Sequence, residues 1–463
     1  MKIAICASEV VPFAKTGGLA DACGALPVAL ERLGHEVIVV MPGYKAVLGM
    51  KQPQVKKLGD GLSGSVIGKN AQVYFIENDA YFNRDNLYGD KAGDYPDNLD
   101  RFSYFSRRAL SLLKEQGFRP DIIHCHDWQA SLVPVYKETL FAMDDFYRDT
   151  ATVLTIHPIG SQGVFPKEQF PKLGLDWGVF TVDGLEYYDK VNVLKGGIVF
   201  SDAVNTVSAT YAREIQTREF GFGLEGVLEK RKDSLSGIIN GLDYSIWDPQ
   251  TDPFIAKNYS ENTFKAKARN KQELQKACRL PVTADVPLFG MVSRLAQQKG
   301  FDILGEAIDE ICRLGLQLVI LGTGDGKYQE ILRAAQMKYP KVISLNVSFD
   351  DPLAHTIYAG ADAFLMPSKY EPCGLGQMIA LKYGTVPLVF KTGGLADTVT
   401  PRTGFLFKDY SARELVKTIK KAAGCFENEK IWSDIARRGM KCDFSWQESA
   451  KKYVTLYEKA RAR

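Results

Sequence analysis

The sequence predicts two doubly wound α/β domains, and three observations carry the prediction. Short apolar runs alternate with segments of helical periodicity through both halves of the chain, the pattern of parallel sheets with crossover helices. At 463 residues the chain is too long for one ordinary core. The heptapeptide Lys-Thr-Gly-Gly-Leu-Ala-Asp occurs at residues 15–21 and again at 391–397, once in each half. Two strand-to-helix loops of similar geometry, one per domain and facing each other across a cleft, are the simplest explanation. The expected division is 1–247, 248–445, and a C-terminal helix at 446–463.

The first half opens with an apolar strand at 2–7 and the loop Lys15-Thr16-Gly17-Gly18. Leu19, Ala20, Cys23, Leu26, Ala29, Leu30 and Leu33 then recur at helical spacing before a strand at 37–41. This βαβ opening carries glycines where backbone can approach a ligand and a lysine to meet negative charge. It has neither the Walker nor the GxGxxG spacing. Asp94, Tyr95 and Asn98 precede a helix pattern at 101–113 of the kind usual on a surface. A buried strand at 121–125 ends in His124, His126, Asp127 and Trp128. Histidines at two-residue spacing can ligate a metal, but no partner set follows at ligand spacing, so an organic site is favoured. His124 reads as structural, and Asp127 as either a site residue or a plain N-cap. A strand at 151–156 ends in His157-Pro158, and one at 203–207 leads to Ser208, an expected N-cap. Residues 237–247 close this half, with Asn240-Gly241 read as a tight turn.

A polar, proline-containing linker at 248–253 and a charged helix at 262–278 introduce the second half. Strands follow at 288–293, 316–321, 342–345, 363–366 and 386–390, with helices at 301–314, from 326, and near 352. Arg294 and Lys299 flank the loop after the first of these strands, where a guanidinium fork and an ammonium point charge can grip phosphate. Residues 322–326 add a glycine-rich loop on the same edge. The strand at 363–366 enters a loop with Glu371, Cys373 and Gly374 ahead of a helix start; the next strand enters Lys391-Thr392-Gly393-Gly394. Successive loops on the ligand edge of a parallel sheet point to a phosphate and sugar pocket.

Composition excludes several classes. A net charge of +3, with 45% hydrophobic and 24% charged residues, implies no nucleic-acid or membrane partner. Eight cysteines without CxxC spacing point to a reduced intracellular protein without structural zinc. The chain enters a strand at once and contains no run of 18 apolar residues. The expectation is a cytoplasmic enzyme, or a plastid one whose transit peptide has been removed.

These motifs resemble the bacterial glycogen synthase and plant starch synthase family, retaining glucosyltransferases that add glucose from ADP-glucose to an α-1,4-glucan. The resemblance runs from KTGGLAD at Lys15 through HDW at His126, VSATYAREI at Val207, GIINGLD at Gly237, WDPQTDP at Trp247 and VSRLAQQKG at Val292. It continues through SKYEPCGLGQMIALKYGTVPLV at Ser368 and KTGGLADTV at Lys391 to DFSWQESAKKY at Asp443. It implies the two-domain GT-B fold, with residues 446–461 crossing back to the first domain. It also implies that Arg294, Lys299, Lys15 and the Gly17 and Gly18 amides meet the donor diphosphate. Asp21, Leu375, Thr392, Gly393 and Phe349 fall on the donor side too, Phe349 where a tyrosine is expected beside the nucleotide. Glu371, with the backbone of Cys373 and Gly374, would hold glucose hydroxyls. Asp127, His157 and Asn240 would surround the glucosyl ring, with Tyr95 on the acceptor side. The catalytic set implied is Glu371, Asp127, His157, Arg294 and Lys299, reacting on one face with the departing phosphate helping to deprotonate the acceptor. No cofactor beyond the donor is implied, and with no DxD pair in the sequence a metal-dependent site is disfavoured.

Three departures stand out. Where the family reads HNxAYQG, this chain has His157-Pro158-Ile159-Gly160-Ser161-Gln162-Gly163, losing an amide and an aromatic. Ile379 occupies the position of a second glutamate found in the broader retaining class but often lacking in this family, and the chain between 397 and 404 is shorter than usual. Two other readings fit the same scaffold: a catalytically weak glucan-binding or priming protein, and a UDP-glucose transferase or a phosphorylase with pyridoxal phosphate on a lysine.

Overall fold

The computed structural model describes residues 1–51 and 53–463. They form two units, Met1–Gly241 with Trp446–Arg463, and Leu242–Ser445.

In the first unit, Lys2–Cys6 lies inside a nine-stranded sheet because its apolar side chains are buried on both faces. The order runs Leu235–Gly237, Ala203–Thr206, Ala151–Ile156, Ile122–His126, Lys2–Cys6, Glu36–Pro42, Ala71–Ile76, Leu62–Ile67, Lys56–Gly59. Pairing is parallel as far as Ala71–Ile76, and the last two strands are antiparallel. This edge hairpin is absent from the expected elements. Its outer strand is wholly exposed, so no apolar run marks it. A small sheet of Val164–Pro166, Lys190–Asn192 and Glu186–Tyr187 is likewise an addition.

The helix Trp446–Arg461 packs into this unit through buried Tyr453 and Tyr457. Tyr457 Oη lies 2.8 Å from His124 Nδ1, Asn205 Nδ2 donates to Tyr453 Oη at 3.2 Å, and Arg461 pairs with Asp121 at 2.9 Å. A Cβ on Gly241 would come within 2.4 Å of Trp446 Cα. The glycine of Asn240-Gly241 is therefore required by this helix, and the expected tight turn is not there.

The second unit holds a six-stranded parallel sheet: Ile343–Asn346, Gln317–Leu321, Leu288–Val292, Ala363–Met366, Val386–Phe390, Phe405–Phe407. Phe289, Leu304, Ile308, Leu318, Leu415 and Ile419 belong to its core. Residues 242–247, expected in the first domain, pack here instead. Trp247 stacks on His355 with centroids 4.0 Å apart and 11° between planes. Asp252 in the linker segment is fully buried, accepting from Tyr383 Oη at 2.5 Å and lying 2.7 Å from His355 Nδ1.

In each sheet the chain fills one side of the first strand and then crosses to the other. That reversal leaves a crevice at the carboxyl ends of two adjacent strands. In the first unit these are Lys2–Cys6 and Ile122–His126; in the second, Leu288–Val292 and Ala363–Met366.

Candidate active site

At the first crevice, Lys2–Cys6 runs on into Glu9, whose carboxylate is buried at 3% exposure. It accepts from the Thr16 amide, from Thr16 Oγ1 at 2.6 Å, from the Gly17 amide at 3.3 Å and from Tyr88 Oη at 2.7 Å. The Gly17 amide, expected to face a diphosphate, is thus taken up internally. Gly18 begins the helix Gly18–Arg32, and Lys15 pairs with Asp21 at 2.7 Å. Glu9 escaped sequence reasoning because a lone acid after a strand carries no spacing signal.

Asp127 follows Ile122–His126 with φ +55°, a left-handed backbone that aspartate tolerates better than most residues but that still stores strain. It is no N-cap: its Oδ1 accepts from the His157 amide at 2.7 Å. Burial pushes its carboxyl up to about 8, with the His157 amide opposing and the Glu9 charge adding, so at neutral pH it carries a proton. Burial lowers His157 to about 3, leaving a neutral imidazole. His157 Nε2 and His126 Nδ1 are 3.0 Å apart, one donating and the other accepting. His124 is satisfied by Thr155 Oγ1 at 2.7 Å and by Tyr457. Among the described residues His126 Nε2 and Asn240 Oδ1 are buried without partners, which polar groups in a finished core seldom are. Tyr95 lies beneath the guanidiniums of Arg84 and Arg101 at 4.6 and 5.1 Å.

At the second crevice a cavity of about 240 Å³ is lined by Ser293, Arg294, Lys299, Ser368, Glu371 and Gly374, among others. Lys299 Nζ lies 2.6 Å from Glu371 Oε2, and both side chains are largely buried. Gly300 ends the lysine's 3₁₀ turn with φ +83°, where a Cβ would meet Pro367 O at 2.2 Å. Among the described residues Arg294 reaches only Gln298, at 3.5 Å. Leu375 precedes the helix Gly376–Lys382. Gln377 braces the loop, donating to the Cys373 and Gly374 carbonyls at 3.1 and 2.9 Å. Phe349 is 95% exposed and lines no part of this cavity.

The two copies of the heptapeptide differ. In the first, Gly17 is the N-cap and open space surrounds both glycines. In the second, Thr392 is the N-cap and the helix starts one residue earlier, at Gly393 with φ +42°. Cβ atoms there would meet Glu371 O at 2.0 Å and Cys373 O at 1.9 Å. One copy presents an exposed loop; the other is a close-packed brace behind Glu371.

A larger cavity, about 780 Å³, opens at the amino edge of the second sheet beside Lys267, Lys271 and Asp362. Lys267 Nζ is held by Tyr358 O, Ala359 O and Thr385 Oγ1, and Lys271 Nζ by Ala284 O, Val286 O and Asp362. These two buried cations are spent on the fold, so size does not make it the site. Among the described residues no group of three or more His, Cys, Asp or Glu is placed to hold a metal ion, and no helix is long and apolar enough to cross a membrane.

Comparison with known proteins adds a second line. The sequence pattern described as the starch synthase catalytic domain matches residues 2–230, and that of glycosyl transferases group 1 matches 277–439. A protein of Geotalea uraniireducens named glycogen synthase is 50% identical, covering 100% of this chain and 99% of its own. The glycogen synthase of Syntrophotalea carbinolica is 47% identical over 99% of each. Among solved structures, the catalytic domain of starch synthase IV from Arabidopsis thaliana, bound to ADP and acarbose, superposes with a TM-score of 0.88. It is 33% identical and covers 100% of this chain and 99% of that one. A sucrose-phosphate synthase of Thermosynechococcus elongatus, 17% identical with a TM-score of 0.63, shares the fold.

Proposed function

The chain belongs to the glycogen and starch synthase family of glycosyltransferases, and we propose that it extends α-1,4-glucans with glucose from ADP-glucose, retaining the anomeric configuration. The observation that carries this reading is the Lys299–Glu371 pair in the cavity at the second crevice. Cleaving a glycosyl diphosphate builds negative charge on the leaving group. Preorganised cations in a partly dehydrated pocket stabilise that charge more in the transition state than in the ground state. Lys299 is the fixed cation, held by Glu371. Arg294, with one weak contact, is free to turn its fork onto a phosphate. Glu371 Oε1 is left to accept a sugar hydroxyl. On the first unit, protonated Asp127 and neutral His157 are uncharged hydrogen-bonding partners suited to glucosyl hydroxyls.

The ADP in the Arabidopsis structure supports an adenine donor over the uridine alternative. The names of the full-length relatives favour a transferase over the non-catalytic reading. We place the protein in the cytoplasm, needing no cofactor. The test is nucleotide release from ADP-glucose and UDP-glucose with glycogen or a maltooligosaccharide as acceptor, with products sized and digested by β-amylase. Acceptor-dependent ADP release with lengthened, digestible chains is expected. Release from UDP-glucose alone replaces the donor, and no release from either refutes the reading.

A further inference from the structure

Phe222 is an aromatic residue at φ +51°, a backbone conformation bulky side chains rarely adopt, and it is 49% exposed. Such strain persists only where neighbours impose it. Here the Phe222 carbonyl accepts from Gln162 Nε2 at 3.1 Å and from Tyr187 Oη at 3.0 Å. Gln162 is itself buried and fixed, donating to Ile159 O at 3.1 Å and accepting from Asn192 Nδ2 at 2.7 Å. Gly223 follows at φ +84°, where a Cβ would meet Tyr187 Oη at 2.1 Å. The framework is rigid, yet the ring it displays is half in water.

That ring lies over the His157 loop. The position a Cβ would take on Gly160 is 3.5 Å from Phe222 Cε1 and 3.6 Å from Cζ. Gly160 is three residues from His157, within the stretch 158–161 where this chain departs from the motif it otherwise follows and lacks an aromatic. Gly160, next to the ring, and Ser161, which follows it in the chain, are both exposed.

We propose that Phe222 gives the 158–161 loop the aromatic face it lacks, and that this face is a stacking platform for a glucosyl unit of the acceptor glucan. The proposal rests on the function above and names a subsite for its acceptor. A pyranose presents an apolar C–H face that matches one aromatic ring, while its hydroxyls rim that face and meet water or groups such as Ser161. A single ring is far too small to seat a protein partner. The bare glycine lets the ring approach the loop closely while about half of the residue stays in water.

The test compares the full-length chain with F222N and F222Y. Asparagine tolerates left-handed backbone, so F222N folds with an unchanged or higher melting temperature, and a loss of binding cannot be put down to misfolding. Calorimetric titration with maltoheptaose is expected to give a Kd raised about five- to tenfold in F222N, with F222Y within about twofold of the original. In the ADP-release assay the KM for glycogen rises in parallel while that for ADP-glucose moves less than about twofold. Maltoheptaose binding by F222N within twofold of the original, or no measurable binding by the original chain, overturns the inference. Absence of nucleotide release from the original chain refutes the proposed function instead, and leaves the binding ratio to judge Phe222.

Discussion

Removing the Lys299 ammonium separates structure from chemistry at the second crevice. The ammonium lies 2.6 Å from Glu371, with the two side chains 19% and 9% exposed. Unit charges at that distance attract by about 6 kcal/mol at an effective dielectric of about 20. Dehydration cancels most of this, so loss of one partner costs ~1–3 kcal/mol, mainly through the carboxylate left alone in the cavity. K299A is therefore expected to unfold with about 2 kcal/mol less free energy in urea. The loss of turnover is expected to be larger, roughly 10²–10³-fold, the usual effect of deleting one preorganised group that meets transition-state charge. The double variant K299A/E371A leaves neither charge unpaired, so it regains part of the stability but none of the activity. The assays are urea unfolding by circular dichroism and ADP release at saturating glycogen. Turnover by K299A within threefold of the original refutes the catalytic role. A double variant no more stable than the sum of its single losses predicts refutes the pairing.

Asp127 makes stability depend on pH. Its carboxyl is held up to about 8, so between roughly pH 4 and 8 the folded chain keeps a proton that the unfolded chain has released. The stabilisation is complete below the unfolded value and falls as pH rises through the folded one, by up to about 5 kcal/mol. D127N, isosteric with the protonated acid, should flatten this slope in unfolding titrations, and an unchanged slope contradicts the assignment. E9Q keeps a single carbonyl oxygen, so it cannot accept both from the Thr16 and Gly17 amides and from the Thr16 and Tyr88 hydroxyls; it should raise the KM for ADP-glucose. Because it also removes a charge that helps keep Asp127 protonated, the alkaline limb of kcat should move to lower pH. The repeated glycines should respond oppositely. G393A, with its Cβ 2.0 Å from Glu371 O, is expected to cost about 2–4 kcal/mol and activity, whereas G17A, in open space and extended backbone, should fold normally by melting temperature.

Much of this protein was legible in its sequence because parallel strands buried on both faces must be written as apolar runs. The strands Ala151–Ile156, Ala363–Met366 and Val386–Phe390 fall where those runs fall. The edge hairpin through Lys56–Gly59 left no such trace, since exposed strands are under no pressure to be apolar. The loops after the strands were equally readable, because glycines and charged residues at strand ends mark a ligand edge, and Lys299 and Glu371 do meet there. Glu9, Gln162 and Phe222 were not readable. Each acts through a partner distant in sequence, and no local spacing encodes that separation. The heptapeptide marks the boundary between the two kinds of knowledge. Its identity in the two halves predicted two similar loops, yet one copy is open and the other locks behind Glu371, because backbone packed around a glycine decides what that glycine is for. Sequence determined which residues stand at the strand ends and the chemistry they carry. Tertiary structure decided which of them touch, which are dehydrated and therefore which are charged, since burial is set by neighbours the local sequence does not contain.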